Sequence, residues 1–120
     1  MGKLTTHILD TSMGTPAQGV EIKVYKRNDS SLKLINSAKT NEDGRCNESL
    51  LSGDLFEEGC YEIEFNIAHY YATKEIDCPF LKDVVIRFYI SNSDENYHVP
   101  LLISPFSLSL IHISEPTRPY

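Results

Sequence analysis

Apolar and polar residues alternate with a period of two through much of the chain. Val20, Ile22 and Val24 alternate with Glu21, Lys23 and Tyr25; Tyr61, Ile63, Phe65 and Ile67 alternate with Glu62, Glu64 and Asn66; Val84, Ile86, Phe88 and Ile90 alternate with Val85, Arg87 and Tyr89. Successive side chains on a strand point to opposite faces, so each run predicts a strand with an apolar row turned inward and a more polar row turned out. Leu4–Leu9, Leu32–Lys39 and Val99–Ile103 are further strand candidates. Turn-forming clusters separate the runs: Met13-Gly14-Thr15-Pro16, Asn41-Glu42-Asp43-Gly44, Ser52-Gly53-Asp54 and Ser91-Asn92-Ser93-Asp94. Ala68–Glu75 is the one short segment that reads as a helix. Many short strands punctuated by turns predict an all-β sandwich of two antiparallel sheets with one short helix.

Composition narrows the function classes. The 120 residues suit one domain, and 41% hydrophobic content is enough for a packed core. A net charge of -6 opposes a general nucleic-acid role, because phosphate binding needs a basic face; a small anion needs only a local positive cluster. No stretch approaches the roughly 20 apolar residues of a membrane helix, and the first residues, Met1 to His7, carry no apolar signal segment. That pattern predicts a protein that is neither secreted nor membrane-bound. Gly2 suits N-myristoylation, but Lys3 and the immediate strand pattern count against it. Cys46, Cys60 and Cys78 are odd in number and widely spaced, which predicts reduced thiols rather than a disulfide framework or a zinc site. The sequons at Asn28 and Asn47 are read as chance matches in a chain without a signal segment.

Three residues stand out as candidate chemistry. Alternation puts His7 on the face opposite Leu4 and Ile8, and His98 on the face opposite Val99, Leu101 and Ile103. Two histidines on the outer faces of separate strands can meet in a surface groove, although a histidine alone on a strand is more often a solvated residue. Arg45 follows the turn Thr40-Asn41-Glu42-Asp43-Gly44. Its planar fork suits a delocalised anion or a carbonyl cluster, while the bland reading is a solvated charge. The same turn fails as a calcium loop, since Lys39 and Leu50 occupy the first and closing ligand positions. Cys46 has no base supplied by sequence and reads as a packed residue; His69, beside the helix, reads as structural.

Three segments resemble the 5-hydroxyisourate hydrolases of the transthyretin-like family: Thr6-His7-Ile8-Leu9-Asp10-Thr11, Thr40-Asn41-Glu42-Asp43-Gly44-Arg45-Cys46, and the run from Tyr97-His98-Val99-Pro100 to Ser104-Pro105-Phe106-Ser107. Gly59-Cys60-Tyr61-Glu62-Ile63, Pro79-Phe80-Leu81 and Ile86-Arg87-Phe88 also fit. The likeness covers about residues 4 to 107, and its motifs are specific together though weak singly. It implies a transthyretin-like sandwich over residues 1–107. It also implies that His7, Arg45 and His98 are the catalytic residues, with His7 and Arg45 binding substrate. The family tail Tyr-Arg-Gly-Ser would fall on residues 111 to 114, where this chain has Ile111-His112-Ile113-Ser114. Ile111 thus stands at the substrate-binding tyrosine position. Residues from Leu108 to Pro119 resemble an in-frame translation of a transposase-type sequencing adapter, so 108–120 is read as a non-native tail in place of the family's final strand. Tyr89 is a smaller departure, at a position where a small residue is expected in many relatives.

The resemblance implies hydrolysis of the cyclic amide of 5-hydroxyisourate, a purine-derived small molecule, in urate degradation. It implies a homotetramer, a dimer of dimers with active sites between dimers, and no metal or organic cofactor. Nucleic acid and membranes are not expected partners. The location implied is the cytoplasm, or the peroxisome in a eukaryotic source. The rival reading is a transthyretin-type carrier with a small hydrophobic ligand in the tetramer channel. Such carriers lack the histidine and arginine set. A zinc hydrolase is a weaker third reading, because no motif supplies a third ligand.

Overall fold

The computed structural model describes residues 2–78 and 80–105, together with the backbone of two short strands at 108–110 and 113–115. The strands are β1 (Lys3–Asp10), β2 (Thr15–Pro16), β3 (Glu21–Asn28), β4 (Ser31–Lys39), β5 (Leu51–Ser52), β6 (Gly59–Asn66), β7 (Asp83–Ile90), β8 (Asn96–Ile103), β9 (Leu108–Leu110) and β10 (Ile113–Glu115), with helix α1 at Ile67–Thr73. One sheet runs β4-β3-β6-β7. The other runs β10-β8-β1-β2, with β5 also on β1 and β9 also on β8. Together they form the expected all-β sandwich.

Every strand pairing is antiparallel except β1 beside β8, which run parallel from Leu4 opposite Tyr97 to Asp10 opposite Ile103. A hairpin forces antiparallel pairing, but these two strands come from opposite ends of the described chain and no short turn joins them. This parallel pair sets two outer-face rows side by side, which matters for the site below.

The predicted alternation holds where a strand faces the other sheet. Val20, Ile22 and Val24, then Tyr61, Ile63 and Phe65, are fully buried; Leu4 and Ile8 meet them from β1, and Val99, Leu101 and Ile103 from β8. Fully burying each such side chain stabilises the fold by about 1.5–3 kcal/mol relative to exposure. Strand β4 behaves differently: Leu32 and Leu34 are exposed, because this edge strand overhangs the core. The helix starts and stops slightly before its predicted range. Asn66 caps it by accepting from the His69 N–H, and Glu75 takes a positive φ of 60° just past its end. Ile67, Tyr70 and Tyr71 form its buried face, while His69 is exposed. Gly2 is buried, with its N–H bound to the Ser93 carbonyl at 2.9 Å. Cys46, Cys60 and Cys78 are free thiols.

Two acidic residues are buried although a carboxylate ordinarily stays in solvent. Asp10 is fully buried and accepts hydrogen bonds from Tyr70 at 2.9 Å, Tyr71 at 3.0 Å, and the Ser12 hydroxyl and N–H at 2.6 and 3.0 Å. A buried carboxylate is tolerated only when so satisfied. Glu62, on the outer face of β6, is nevertheless buried beneath Arg27 at 3.1 Å and Arg87 at 3.0 Å. The arginine stems cover it, which strand periodicity alone does not reveal.

The Asp10 cluster makes stability fall at high pH. Burial first, and then the hydrogen bond to Asp10 and its charge, push the Tyr70 phenol well above its usual 10.0; burial does the same to Tyr71, where a Ser12 hydrogen bond opposes the rise and the Asp10 bond and charge add to it. Above about pH 10 the unfolded chain releases these protons while the folded chain keeps them, so the unfolded state gains. Stability present below pH 10 should therefore drop by about 1.4 kcal/mol per pH unit for each phenol until the folded groups also ionise. Denaturant titrations between pH 9 and roughly pH 11.5 should show this loss, and a Tyr70→Phe/Tyr71→Phe variant should show a shallower slope. Equal slopes would mean that the cluster does not set alkaline stability.

Candidate active site

The turn before Arg45 is built to press against β1. Thr40 anchors its start from inside the sandwich: its hydroxyl donates to the Ala17 carbonyl at 2.7 Å and accepts from the Val20 N–H at 2.9 Å. The Asn41 side chain then holds the turn closed, accepting from the N–H groups of Asp43 at 2.9 Å and Arg45 at 3.2 Å. Gly44 has a φ of +77° and its carbonyl accepts from the Ile8 N–H at 2.8 Å. A Cβ at this position would collide with the Ile8 carbonyl oxygen and crowd Pro16 at 3.2 Å. Only glycine satisfies both the backbone angle and the approach. The result is an isolated antiparallel bridge that sets Arg45 opposite His7.

The parallel pair β1–β8 supplies the other side. Thr5 is the register partner of His98, and both project from the outer face. Thr5 Oγ1 lies 2.8 Å from His98 Nδ1. Lys3, Thr5, Arg45, Cys46, Glu48 and His98 line an open cleft of about 370 Å³. Lys3 and Arg45 give it two cationic groups and Glu48 one anionic group. Arg45 is exposed, whereas Thr5, His7, Cys46 and His98 are half-buried.

Arg45 and His98 therefore share one cleft. His7 is not among its lining residues; it projects from the same face of β1 as Thr5, two positions further along, and meets Arg45 through the bridge. Ile111 lies outside the described residues. Burial pushes the Cys46 thiol up from its usual 9.0, which opposes a thiolate nucleophile and favours the packed reading. Thr5, Lys3 and Glu48 were not singled out from sequence. Alternation could have put Lys3 and Thr5 on the face of His7, but the link from Thr5 to His98 spans 93 positions and has no local signal.

An exposed guanidinium beside two half-buried imidazoles can hold an oxygen-rich planar substrate and move protons at its edge. Among the described residues no group of three or more His, Cys, Asp or Glu side chains is arranged to hold a metal ion.

The HIUase/Transthyretin family profile matches residues 4–112. The chain is 46% identical over 112 residues to the 5-hydroxyisourate hydrolase of Pseudomonas aeruginosa, an alignment covering 91% of this chain and 89% of that one. Its fold superposes on the 5-hydroxyisourate hydrolase of Klebsiella pneumoniae with a TM-score of 0.80 at 28% identity, covering 94% of this chain and 99% of the other. It superposes on sea bream transthyretin, solved in complex with thyroxine, with a TM-score of 0.90 at 27% identity, covering 98% and 99%. With a family match over most of its length and a relative this similar along nearly the whole of both chains, the chain belongs to the HIUase/Transthyretin family.

Proposed function

We propose that this protein is a hydrolase that opens the cyclic amide of 5-hydroxyisourate, with His7, Arg45 and His98 as its catalytic residues. The supporting observation is the shared cleft of Arg45 and His98, with His7 bridged to Arg45. Water is the nucleophile. It attacks the amide carbonyl carbon, the ring C–N bond breaks, the nitrogen leaves with a proton and the carbon becomes a carboxylate. One histidine takes the proton from water, because neutral water attacks an amide slowly. The other polarises the carbonyl or protonates the departing nitrogen. Arg45 directs its fork at the oxyanion that develops during attack. No metal or organic cofactor enters these steps.

The assembly that fits this reading is a homotetramer, a dimer of dimers, acting in the cytoplasm. Among the described residues no helix is long and apolar enough to cross a membrane. Residues 1–107 are the native domain in this reading, and 108–120 replace the family's final strand. The carrier reading draws on the closer superposition with transthyretin. Global shape does not separate the two, since both relatives share the fold; the cationic cleft with its histidine favours the hydrolase.

The test is the ultraviolet absorbance of freshly generated 5-hydroxyisourate. Protein carrying the family tail should accelerate its decay well beyond the spontaneous rate. Decay at the spontaneous rate, together with saturable binding of thyroxine, would select the carrier.

A further inference from the structure

Thr5 is not among the residues the proposed chemistry uses, yet its side chain pairs with that of a histidine that is. Its hydroxyl lies 2.8 Å from His98 Nδ1, and the two residues are direct register partners on adjacent strands. A hydroxyl can donate to a bare ring nitrogen or accept from a protonated one, and the choice fixes the tautomer of a neutral imidazole. Among the described residues the Thr5 hydroxyl has no other hydrogen-bond partner, and Nδ1 is the protein acceptor within its reach. Thr5 is half-buried on a paired strand, and a donor left unused there is unfavourable.

We infer that Thr5 is a positioning residue that donates its hydroxyl proton to His98 Nδ1 and so holds the neutral ring with its own proton on Nε2. The inference rests on the proposed hydrolase reading for its consequence. With Nε2 protonated, the neutral His98 ring acts toward substrate as a hydrogen-bond donor. It polarises the amide carbonyl, and His7 is left to take the proton from water and pass it to the departing nitrogen. The strand register does the work of orientation: Thr5 and His98 face each other because β1 and β8 are parallel partners, so the ring is held from a rigid element rather than from a loop. Thr6, its neighbour, turns inward and donates to the Val99 carbonyl at 2.7 Å, which pins the same register from the core side.

Long-range proton–nitrogen correlation spectra of the full chain read the two ring nitrogens directly, with His98 assigned by its loss in His98→Gln. The neutral ring should show Nδ1 as an unprotonated acceptor and Nε2 as a protonated nitrogen. Thr5→Val keeps the shape and suits a strand but removes the hydroxyl, so the two nitrogen shifts should move toward each other as the tautomers mix. Thr5→Ser should keep the parent pattern. In the chain carrying the family tail, Thr5→Val should lower kcat by about tenfold with KM changed by less than about twofold, and Thr5→Ser should recover most of that loss. A parent spectrum with the proton on Nδ1, or a Thr5→Val spectrum unchanged from the parent, overturns the inference. A tail-restored parent that does not hydrolyse 5-hydroxyisourate instead overturns the hydrolase reading, while the spectra still decide the role of Thr5.

Discussion

Arg45→Lys is expected to lower kcat/KM for 5-hydroxyisourate by roughly thirty-fold or more, about 2 kcal/mol of transition-state binding. Lysine keeps the charge, so a role in simple attraction of an anion would survive the change. What disappears is the planar fork that meets two oxygens at once. The turn does not depend on that side chain: Asn41 holds the Arg45 N–H, and Gly44 makes the contact with β1. Thermal stability should therefore stay close to the parent, as for most exposed substitutions. The measurement belongs in a chain carrying the family tail, so that the loss is read from an active parent. An Arg45→Lys protein with unchanged kcat/KM would reduce Arg45 to a solvated turn residue.

The parts of the fold visible in the sequence are those that face the core from a paired strand. Val20, Ile22 and Val24 or Val99, Leu101 and Ile103 announce themselves because burial on one side imposes the period of two. Strands β2 and β5 are two residues each and exist only through pairing with β1, so no internal pattern marks them. Leu32 and Leu34 look like core residues and are exposed, because position at the sheet edge is a property of topology. Asp10 and Glu62 look solvated and are buried, because their partners come from the helix and from neighbouring strands.

The site divides along the same line. The turn before Arg45 is readable locally, since Asn41, Asp43 and Gly44 carry their own turn chemistry. The outer-face placement of His7 and His98 also follows from alternation. Their neighbours do not. The partnership of Thr5 with His98 depends on β1 lying parallel to β8, a choice made by the whole sandwich.

Replacing the tail by the family's Tyr-Ser-Thr-Tyr-Arg-Gly-Ser from position 108 is expected to raise kcat/KM by tenfold to hundredfold with little change in fold stability. Among the described residues the buried core runs from Leu4 to Ile103, all before residue 108. The tail present here already forms ladder pairs on β8. Leu110 opposes Leu101 and Ile113 opposes His98, three residues on along the tail and three back along β8, so β9 and β10 hold one register. The sheet is thus served by backbone pairing that many sequences can supply. The chemistry is not. The family's tyrosine position is Ile111, which has no hydroxyl, and the family's glycine position is Ile113, the register partner of His98. Losing one positioned polar contact commonly costs about 1.4 kcal/mol or more, a factor of ten in rate. The comparison needs both proteins as assemblies of equal size and equal unfolding midpoint, assayed by the absorbance decay of 5-hydroxyisourate. An Ile111→Tyr/Ile113→Gly variant of the present tail should recover a large part of the gain, which separates these two positions from the rest of the substitution. If the parent and the restored chain turn over substrate equally well, the residues beyond 107 are a passive edge strand, and the site is complete with His7, Arg45 and His98.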